Sequence, residues 1–204
     1  QIEILQTYGP FISIDDAISE SHPRGISFVL SFDDGYRDNL TVLLPILEEL
    51  KVPCCIYVTS GLVSGEMQSL EHDRRAGFCP PVLTLQDLKS LASHPLIMIG
   101  SHTHHHVRLN TLTAAGLGSE LKTSLEWFKD SAGLAVKHLA IPYGQRRDAN
   151  WNELLPVAGN LGFRTVASNY GGGYGREGQG AAMHFFRAAA PSTADSDVLT
   201  GWVL

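Results

Sequence analysis

The chain has 204 residues, of which 44% are hydrophobic and 18% are charged, and this composition predicts one globular domain with a full core. A formal net charge of −6 argues against a protein that binds nucleic acid or an anionic membrane surface. Three cysteines without a CxxC pair argue against a disulfide framework and against a cysteine-based zinc knuckle.

Apolar runs alternate with amphipathic segments along the chain, which predicts strands that alternate with helices. In chain order the pattern predicts a strand at 26–32, a helix at 40–50, a strand at 54–59, a long loop at 60–82, a helix at 83–91 with Thr84 as N-cap, a strand at 96–100, a helix at 113–131, a strand at 138–141, a helix at 151–161, a strand at 163–167, a glycine-dense mobile segment at 170–180, a strand at 185–190 and a helix at 194–199.

A strand followed by a helix, repeated about five times, predicts an α/β fold with a parallel sheet and helices outside it. In such folds the working residues lie at the carboxyl ends of the strands. Polar residues occupy three of these positions here: Asp33-Asp34-Gly35, Ser101-His102-Thr103 and Tyr143-Gly144. We therefore expect them to meet at one rim of the sheet.

Asp33 and Asp34 are adjacent carboxylates at the end of an apolar strand, where their charges need compensation. A bound metal ion would provide it, with one aspartate as a ligand and the other as a base beside the ion. An exposed Asp-Asp-Gly turn is the alternative interpretation.

Four histidines lie within the five residues 102–106. His102 and His106 are four residues apart and would share one side of a turn, whereas a His102/His105 pair or a solvated polar loop are the alternatives. One aspartate and two histidines give three ligands and leave open positions, which is typical of metal sites that assist hydrolysis. The set favours one divalent ion, Zn²⁺ first, with Co²⁺ or Ni²⁺ as alternatives.

Three further residues are candidates for work at the same rim. Pro142 and Gly144 could hold the backbone amide of Tyr143 toward a cavity, or form an ordinary turn. His184 is the one histidine in the last quarter of the chain, and a surface or strand-edge position is its alternative. Trp151 could be a sugar platform, or could belong to the start of a helix.

The segments SFDDG, GSHTHHHVRL and AIPYG, in this order, resemble the NodB-type polysaccharide deacetylases of carbohydrate esterase family 4. The resemblance implies a distorted (β/α) barrel of about seven strands. It makes Asp33 the base, makes Asp34, His102 and His106 the metal ligands, lets the Thr103 hydroxyl brace the loop, and lets the Tyr143 amide donate to the oxyanion. The branch resembled is the bacterial one that acts on exopolysaccharides such as poly-N-acetylglucosamine.

Two family features are missing from the chain. The third motif has Ala140 and Ile141 where many members carry an arginine that orients the base. No Leu-x-His motif follows the third motif to supply a general acid, and His184 is the expected substitute.

The resemblance also bears on domain organisation and partners. We expect residues 1–204 to form a single NodB-like domain that is truncated at its N-terminus, because the chain begins at Gln1 within the family pattern. The expected partner is an N-acetylated sugar, with no nucleic acid and no membrane insertion.

Three competing functions share parts of this pattern. Two histidines and a carboxylate also form the iron site of Fe(II) oxygenases, which usually carry a His-x-Asp pair. The missing Leu-x-His motif is compatible with a non-catalytic metal-containing carbohydrate-binding module. A deacylase of a lipid-linked sugar or a small amide would use the same chemistry on another substrate.

Overall fold

A computed structural model describes residues 1–19, 25–170, 173–176 and 182–188. Seven strands form one sheet in the order β1-β2-β3-β4-β5-β7-β6. Neighbouring strands are parallel except β6, which pairs antiparallel with β7. The strands are β1 (Leu30–Phe32), β2 (Cys54–Val58), β3 (Ile97–Ser101), β4 (His138–Ala140), β5 (Thr165–Ser168), β6 (Gly173–Arg176) and β7 (Met183–Phe186). The predicted α/β fold, a distorted barrel built on parallel strands, is confirmed.

Helices precede the first strand and lie between most of the later ones. They are α1 (Ile2–Gln6), α2 (Ile14–Ala17), α3 (Leu44–Leu50), α4 (Ser60–Ser64), α5 (Glu71–Ala76), α6 (Leu85–Ala92), α7 (Ala114–Trp127) and α8 (Trp151–Asn160). Within the described residues, no helix is long and apolar enough to span a membrane.

Strand β2 shows why the sheet is buried on both faces. All five of its residues are buried, and alternate side chains point to opposite faces of a strand. Cys54, Ile56 and Val58 belong to the main core with the outer helices, whereas Cys55 and Tyr57 pack in a smaller cluster inside the curved sheet. Coverage of both faces is the rule for parallel sheets.

Local sequence signals account for two of the helices. Thr84 caps α6 as predicted, and its hydroxyl accepts a hydrogen bond from the backbone N–H of Asp87 while the Asp87 carboxylate accepts one from the N–H of Thr84. Helix α7 lies within the predicted 113–131 and buries Leu117 and Leu121, which are four residues apart on one face. It continues into a π-helical turn, Phe128–Ala132, where Gly133 ends it with a φ of 73°.

Several predicted elements need correction. The loop predicted at 60–82 is wrong, because this segment contains α4 and α5, which are too short to show a helical period in the sequence. The first strand is shorter than predicted and begins at Leu30. Part of the glycine-dense segment forms β6, and the helix predicted at 194–199 lies outside the described residues.

Candidate metal centre

Asp34, His102 and His106 converge beyond the carboxyl ends of β1 and β3. Oδ1 of Asp34 lies 3.4 Å from Nε2 of His102 and 3.3 Å from Nε2 of His106. Two nitrogen or oxygen ligands of a tetrahedral zinc ion are about 3.3 Å apart, so these side chains already have the spacing of metal ligands. All three ligand atoms lie within 4.8 Å of one another. The donor set therefore fits a divalent ion.

The surroundings of His102 prepare it to bind a cation. Its ring is almost fully buried, and its Nδ1 lies 2.9 Å from the backbone oxygen of Ala140. A hydrogen bond donated to that carbonyl leaves Nε2 as an acceptor that faces Asp34. Burial lowers the pKa of His102, against the opposing effect of the Asp33 charge. A neutral imidazole is the form that binds metal.

A turn that starts at Thr103 holds His106 in place. The backbone N–H of His106 donates to Oγ1 of Thr103 at 3.1 Å, which confirms that the hydroxyl braces the loop. The N–H of Thr103 donates in turn to Oγ of Ser101 at 3.1 Å. Both histidines are thus fixed through the backbone of one short segment.

Backbone conformations of positive φ concentrate at this centre. Within the described residues, five non-glycine residues have a positive φ, and Lys51 is the one that lies elsewhere. The other four are Asp34 at 75°, Thr103 at 64°, His106 at 53° and Tyr143 at 64°. Such conformations are unfavourable by about 1–3 kcal/mol each and cluster at functional sites, where the surrounding structure enforces them.

Asp33 lies beside these three potential ligands and pairs with Arg187, which follows β7. Nη1 and Nη2 of Arg187 donate to Oδ1 and Oδ2 of Asp33 at 2.6 and 2.7 Å. Arg187 also donates to Oγ of Ser31 and to the backbone oxygen of Ser168. Nothing in the sequence indicated this contact between residues 154 positions apart.

Opposing effects act on the pKa of the Asp33 carboxyl. Burial raises this pKa, whereas the charge of His102 and the charge and hydrogen bonds of Arg187 lower it, and the net effect lowers it. Asp33 is therefore ionised at neutral pH. Burial likewise raises the pKa of Asp34, and the contacts with His106 and His102 outweigh it, so this pKa is lowered as well.

Tyr143 lies on the loop after β4, next to His106. Its ring centre is 5.0 Å from that of His106, and its hydroxyl donates to Glu71 at 3.5 Å. The guanidinium of Arg108 lies 3.8 Å from the ring centre, within cation–π range. These three neighbours of the tyrosine line a cavity of about 360 Å³ together with His105, so there is space for a ligand beside His106.

His72 is a neighbour of the centre that the sequence did not reveal. It lies on α5 with its ring centre 5.8 Å from that of His106. Its Nε2 is 3.3 Å from the hydroxyl of Tyr36 and 3.4 Å from Oδ1 of Asp73. The segment was interpreted as a loop, and Leu70-Glu71-His72, which has the Leu-x-His spacing, is the signal that sequence reasoning missed.

Trp151 of α8 and His184 of β7 form a stacked pair. Their ring centres are 4.0 Å apart, and Nε2 of His184 lies 3.0 Å from Oγ of Ser168. The indole N–H of Trp151, the first residue of α8, donates to the backbone oxygen of Arg146. Burial lowers the pKa of His184 to about 4, so the ring is neutral at pH 7. One face of the indole is covered by this ring.

The other two histidines of the segment, His104 and His105, do not belong to the cluster formed by Asp34, His102 and His106. Nδ1 of His105 lies 2.7 Å from Oε2 of Glu120 on α7, which disfavours the alternative His102/His105 ligand pair. Nδ1 of His104 lies 2.8 Å from Oγ of Ser60.

Comparisons with known proteins agree with this arrangement. The sequence model of the family described as polysaccharide deacetylase matches residues 20–166. The chain is 26% identical over 170 residues to YxkH of Bacillus subtilis (strain 168), a candidate polysaccharide deacetylase; the match covers 83% of this chain and 54% of YxkH. The chain thus spans about half the length of this curated relative.

Two solved structures share the fold over nearly the whole chain. The deacetylase PplD of Streptococcus pyogenes, in complex with acetate, matches with a TM-score of 0.76 at 17% identity, covering 98% of this chain and 82% of that one. IcaB of Ammonifex degensii matches with a TM-score of 0.70 at 18% identity, covering 99% and 85%. At these identities the likeness concerns the fold.

Proposed function

We propose, because the chain belongs to the polysaccharide deacetylase family, that it is a metal-dependent hydrolase that removes N-acetyl groups from poly- or oligosaccharides containing N-acetylglucosamine. One observation carries this proposal. Asp34, His102 and His106 have the spacing of metal ligands, and a second, ionised carboxylate lies beside them.

Asp34, His102 and His106 would hold the ion, and the two imidazoles with one carboxylate favour Zn²⁺, with Co²⁺ and Ni²⁺ as alternatives. A bound ion of this kind lowers the pKa of a water molecule and polarises a carbonyl oxygen. Three protein ligands leave room for the acetamide group and for water.

Asp33 is proposed as the general base. Its Oδ2 lies 3.9 Å from Nε2 of His102, so the carboxylate is adjacent to the ligand group without belonging to it. Arg187 binds both carboxylate oxygens and keeps the group ionised, and would thereby fix its orientation toward the attacking water. Arg187 is a positioning residue in this scheme, in the role that the third motif of many family members gives to an arginine.

The amide of Tyr143 is proposed as the donor to the oxyanion that forms at the acetyl carbon. The positive φ of Tyr143 and of Gly144 supports this role, because the turn presents the backbone in an unusual direction. The backbone oxygen of Gly144 accepts a hydrogen bond from the N–H of Asn169 at 2.7 Å, which holds the turn in place. One such oxyanion donor is typically worth about 3 kcal/mol.

The leaving amine needs a proton, and His184 was the residue expected to supply it. A ring that is buried, stacked and neutral at pH 7 is poorly suited to this task. The proposed function does not depend on His184, and the role of this residue is tested separately below. The sugar contact proposed for Trp151 would use the part of its indole that the His184 ring leaves uncovered.

The decisive experiment measures acetate released from β-1,4- and β-1,6-linked N-acetylglucosamine oligomers by the metal-free protein and after Zn²⁺ or Co²⁺ is restored. We expect release only in the presence of metal, and loss of release in Asp34→Asn. Release that persists without metal would contradict the proposal. Oligomers that bind without releasing acetate would instead identify a carbohydrate-binding module.

A further inference from the structure

The histidine-rich segment at 102–106 contributes to a second cluster of potential metal ligands, besides the cluster of Asp34, His102 and His106. His104 and His105 lie with Glu66, which follows α4, and one ligand atom from each of these three residues lies within 4.8 Å of the others. We propose that Glu66, His104 and His105 bind a second divalent transition-metal ion, separate from the ion of the deacetylase site.

Both histidines of this second group are oriented as metal-binding histidines usually are. Nδ1 of His104 lies 2.8 Å from Oγ of Ser60, and Nδ1 of His105 lies 2.7 Å from Oε2 of Glu120. In metal sites the ring nitrogen that does not bind the ion usually donates to a carboxylate or another oxygen, which fixes the tautomer and the ring direction. Here Nδ1 makes these contacts, so Nε2 remains for a cation in both rings.

Glu66 supplies the third ligand at a suitable distance. Its Oε2 lies 3.2 Å from Nε2 of His104, close to the roughly 3.3 Å that separates two ligands of a tetrahedral ion. The side chain of His104 is 2% exposed, whereas those of Glu66 and His105 are 60% and 51% exposed. With His104 as a buried anchor, the exposed carboxylate of Glu66 can adjust to an ion without moving the fold.

The backbone beneath the second group is also fixed. Oε1 of Glu120 accepts hydrogen bonds from the backbone N–H groups of His104 and His105, at 2.9 and 2.6 Å. The hydroxyl of Ser60 also lies 3.2 Å from that of Ser124 on α7. Helix α7 therefore holds both histidines through their side chains or backbone, and the ligand directions are set before an ion arrives.

A plain histidine–glutamate ion pair offers a matched comparison. Nε2 of His94 lies 3.2 Å from Oε1 of Glu48, the same separation as in the His104–Glu66 pair. Among the described residues, His94 and Glu48 do not belong to a group of three potential ligands. Glu48→Gln therefore controls for the loss of a histidine–glutamate contact without loss of a metal site.

The test counts Zn²⁺ ions per chain by equilibrium dialysis and elemental analysis. We expect two ions in the unaltered chain, one in Glu66→Gln and two in Glu48→Gln, at a concentration that saturates the unaltered chain. The Kd of the ion held by Glu66, His104 and His105 should rise at least tenfold in Glu66→Gln, as loss of one ligand predicts. Because Glu66 is exposed, its substitution should leave the circular dichroism spectrum unchanged.

Asp34→Asn separates this inference from the proposed function. That variant should lose the ion of the deacetylase site and retain the one held by Glu66, His104 and His105. A single ion in the unaltered chain that Asp34→Asn loses and Glu66→Gln keeps, or two ions in Glu66→Gln, would overturn the second site whatever the acetate-release assay shows.

Discussion

The guanidinium of Arg187 binds both oxygens of the Asp33 carboxylate, at 2.6 and 2.7 Å, although the two residues are 154 positions apart in the chain. Their side chains are only 15% and 22% exposed, so the pair is largely shielded from water. A two-point contact fixes the plane of the carboxylate as well as its position. This pair links the end of β7 to the end of β1, on which the proposed base lies.

Arg187→Lys should lower kcat by about 10- to 100-fold, because lysine cannot reproduce the two-point contact that orients the base. The KM for the oligosaccharide and the Zn²⁺ content should change little. Arg187 helps to lower the pKa of Asp33, so this pKa should rise in the variant. The acid limb of the kcat/KM profile should then move to higher pH, since the base must be ionised.

Arg164→Lys is the matched control for this variant. Arg164 pairs with Asp15 away from the metal centre, and its side chain is 46% exposed. The control should keep its kcat and its pH profile. An acid limb that stays in place in Arg187→Lys would show that Arg187 does not act through Asp33.

Sequence patterns were sufficient to predict that the three proposed ligands lie together, but not which residues contact them. Asp34 and His102 each come two residues after the end of a predicted strand, with His106 four residues further on, and parallel strands bring their carboxyl ends to one rim. Arg187 could not be predicted, because its contact depends on β7 lying beside β5 in the sheet. His72 was missed because α5 has six residues and shows no clear helical period, although Leu70-Glu71-His72 has the Leu-x-His spacing.

Asp33→Asn should keep the Zn²⁺ ion and lose about 10²- to 10⁴-fold in kcat, the usual range for a general base. Asparagine is nearly the same size, so the hydrogen bond from one nitrogen of Arg187 can persist while the proton acceptor is lost. Asp34→Asn provides the contrast, because it should lose both metal and activity. Near-normal turnover in Asp33→Asn would exclude this residue as the base.

Thr103→Val should weaken Zn²⁺ binding by about 10- to 100-fold, the range seen when groups that support metal ligands are removed. Valine has the same shape and the same β-branching at a φ of 64°, so the change removes little besides the hydroxyl that accepts the N–H of His106. The measurement is a competition titration with a chelator of known affinity.

Thr111→Val is the control for Thr103→Val. The hydroxyl of Thr111 also bonds the backbone, donating to the oxygen of Arg108, but it is exposed. Its Zn²⁺ affinity should equal that of the unaltered chain. Equal affinities in all three proteins would show that the turn holds His106 without the Thr103 hydroxyl.

His184→Phe should reduce the loss of stability at acid pH. Burial lowers the pKa of His184 from an ordinary 6.5 to about 4 in the folded chain. Between these two pH values the unfolded chain binds a proton that the folded chain does not, so the free energy of unfolding falls as pH falls. The difference of about 2.5 pKa units sets an upper limit of roughly 3 kcal/mol on this fall in the free energy of unfolding. Urea unfolding at pH 7 and pH 4.5 measures the fall.

Phenylalanine keeps a ring against Trp151 but cannot titrate, so this part of the pH dependence should disappear in His184→Phe. Ser168→Ala removes the hydroxyl 3.0 Å from Nε2 of His184 and leaves the titrating ring, so it should retain the pH dependence. The same His184→Phe protein decides the acid role. A kcat within a few-fold of normal fits a neutral, structural ring, whereas a large loss of kcat in a stably folded variant would restore His184 as the general acid.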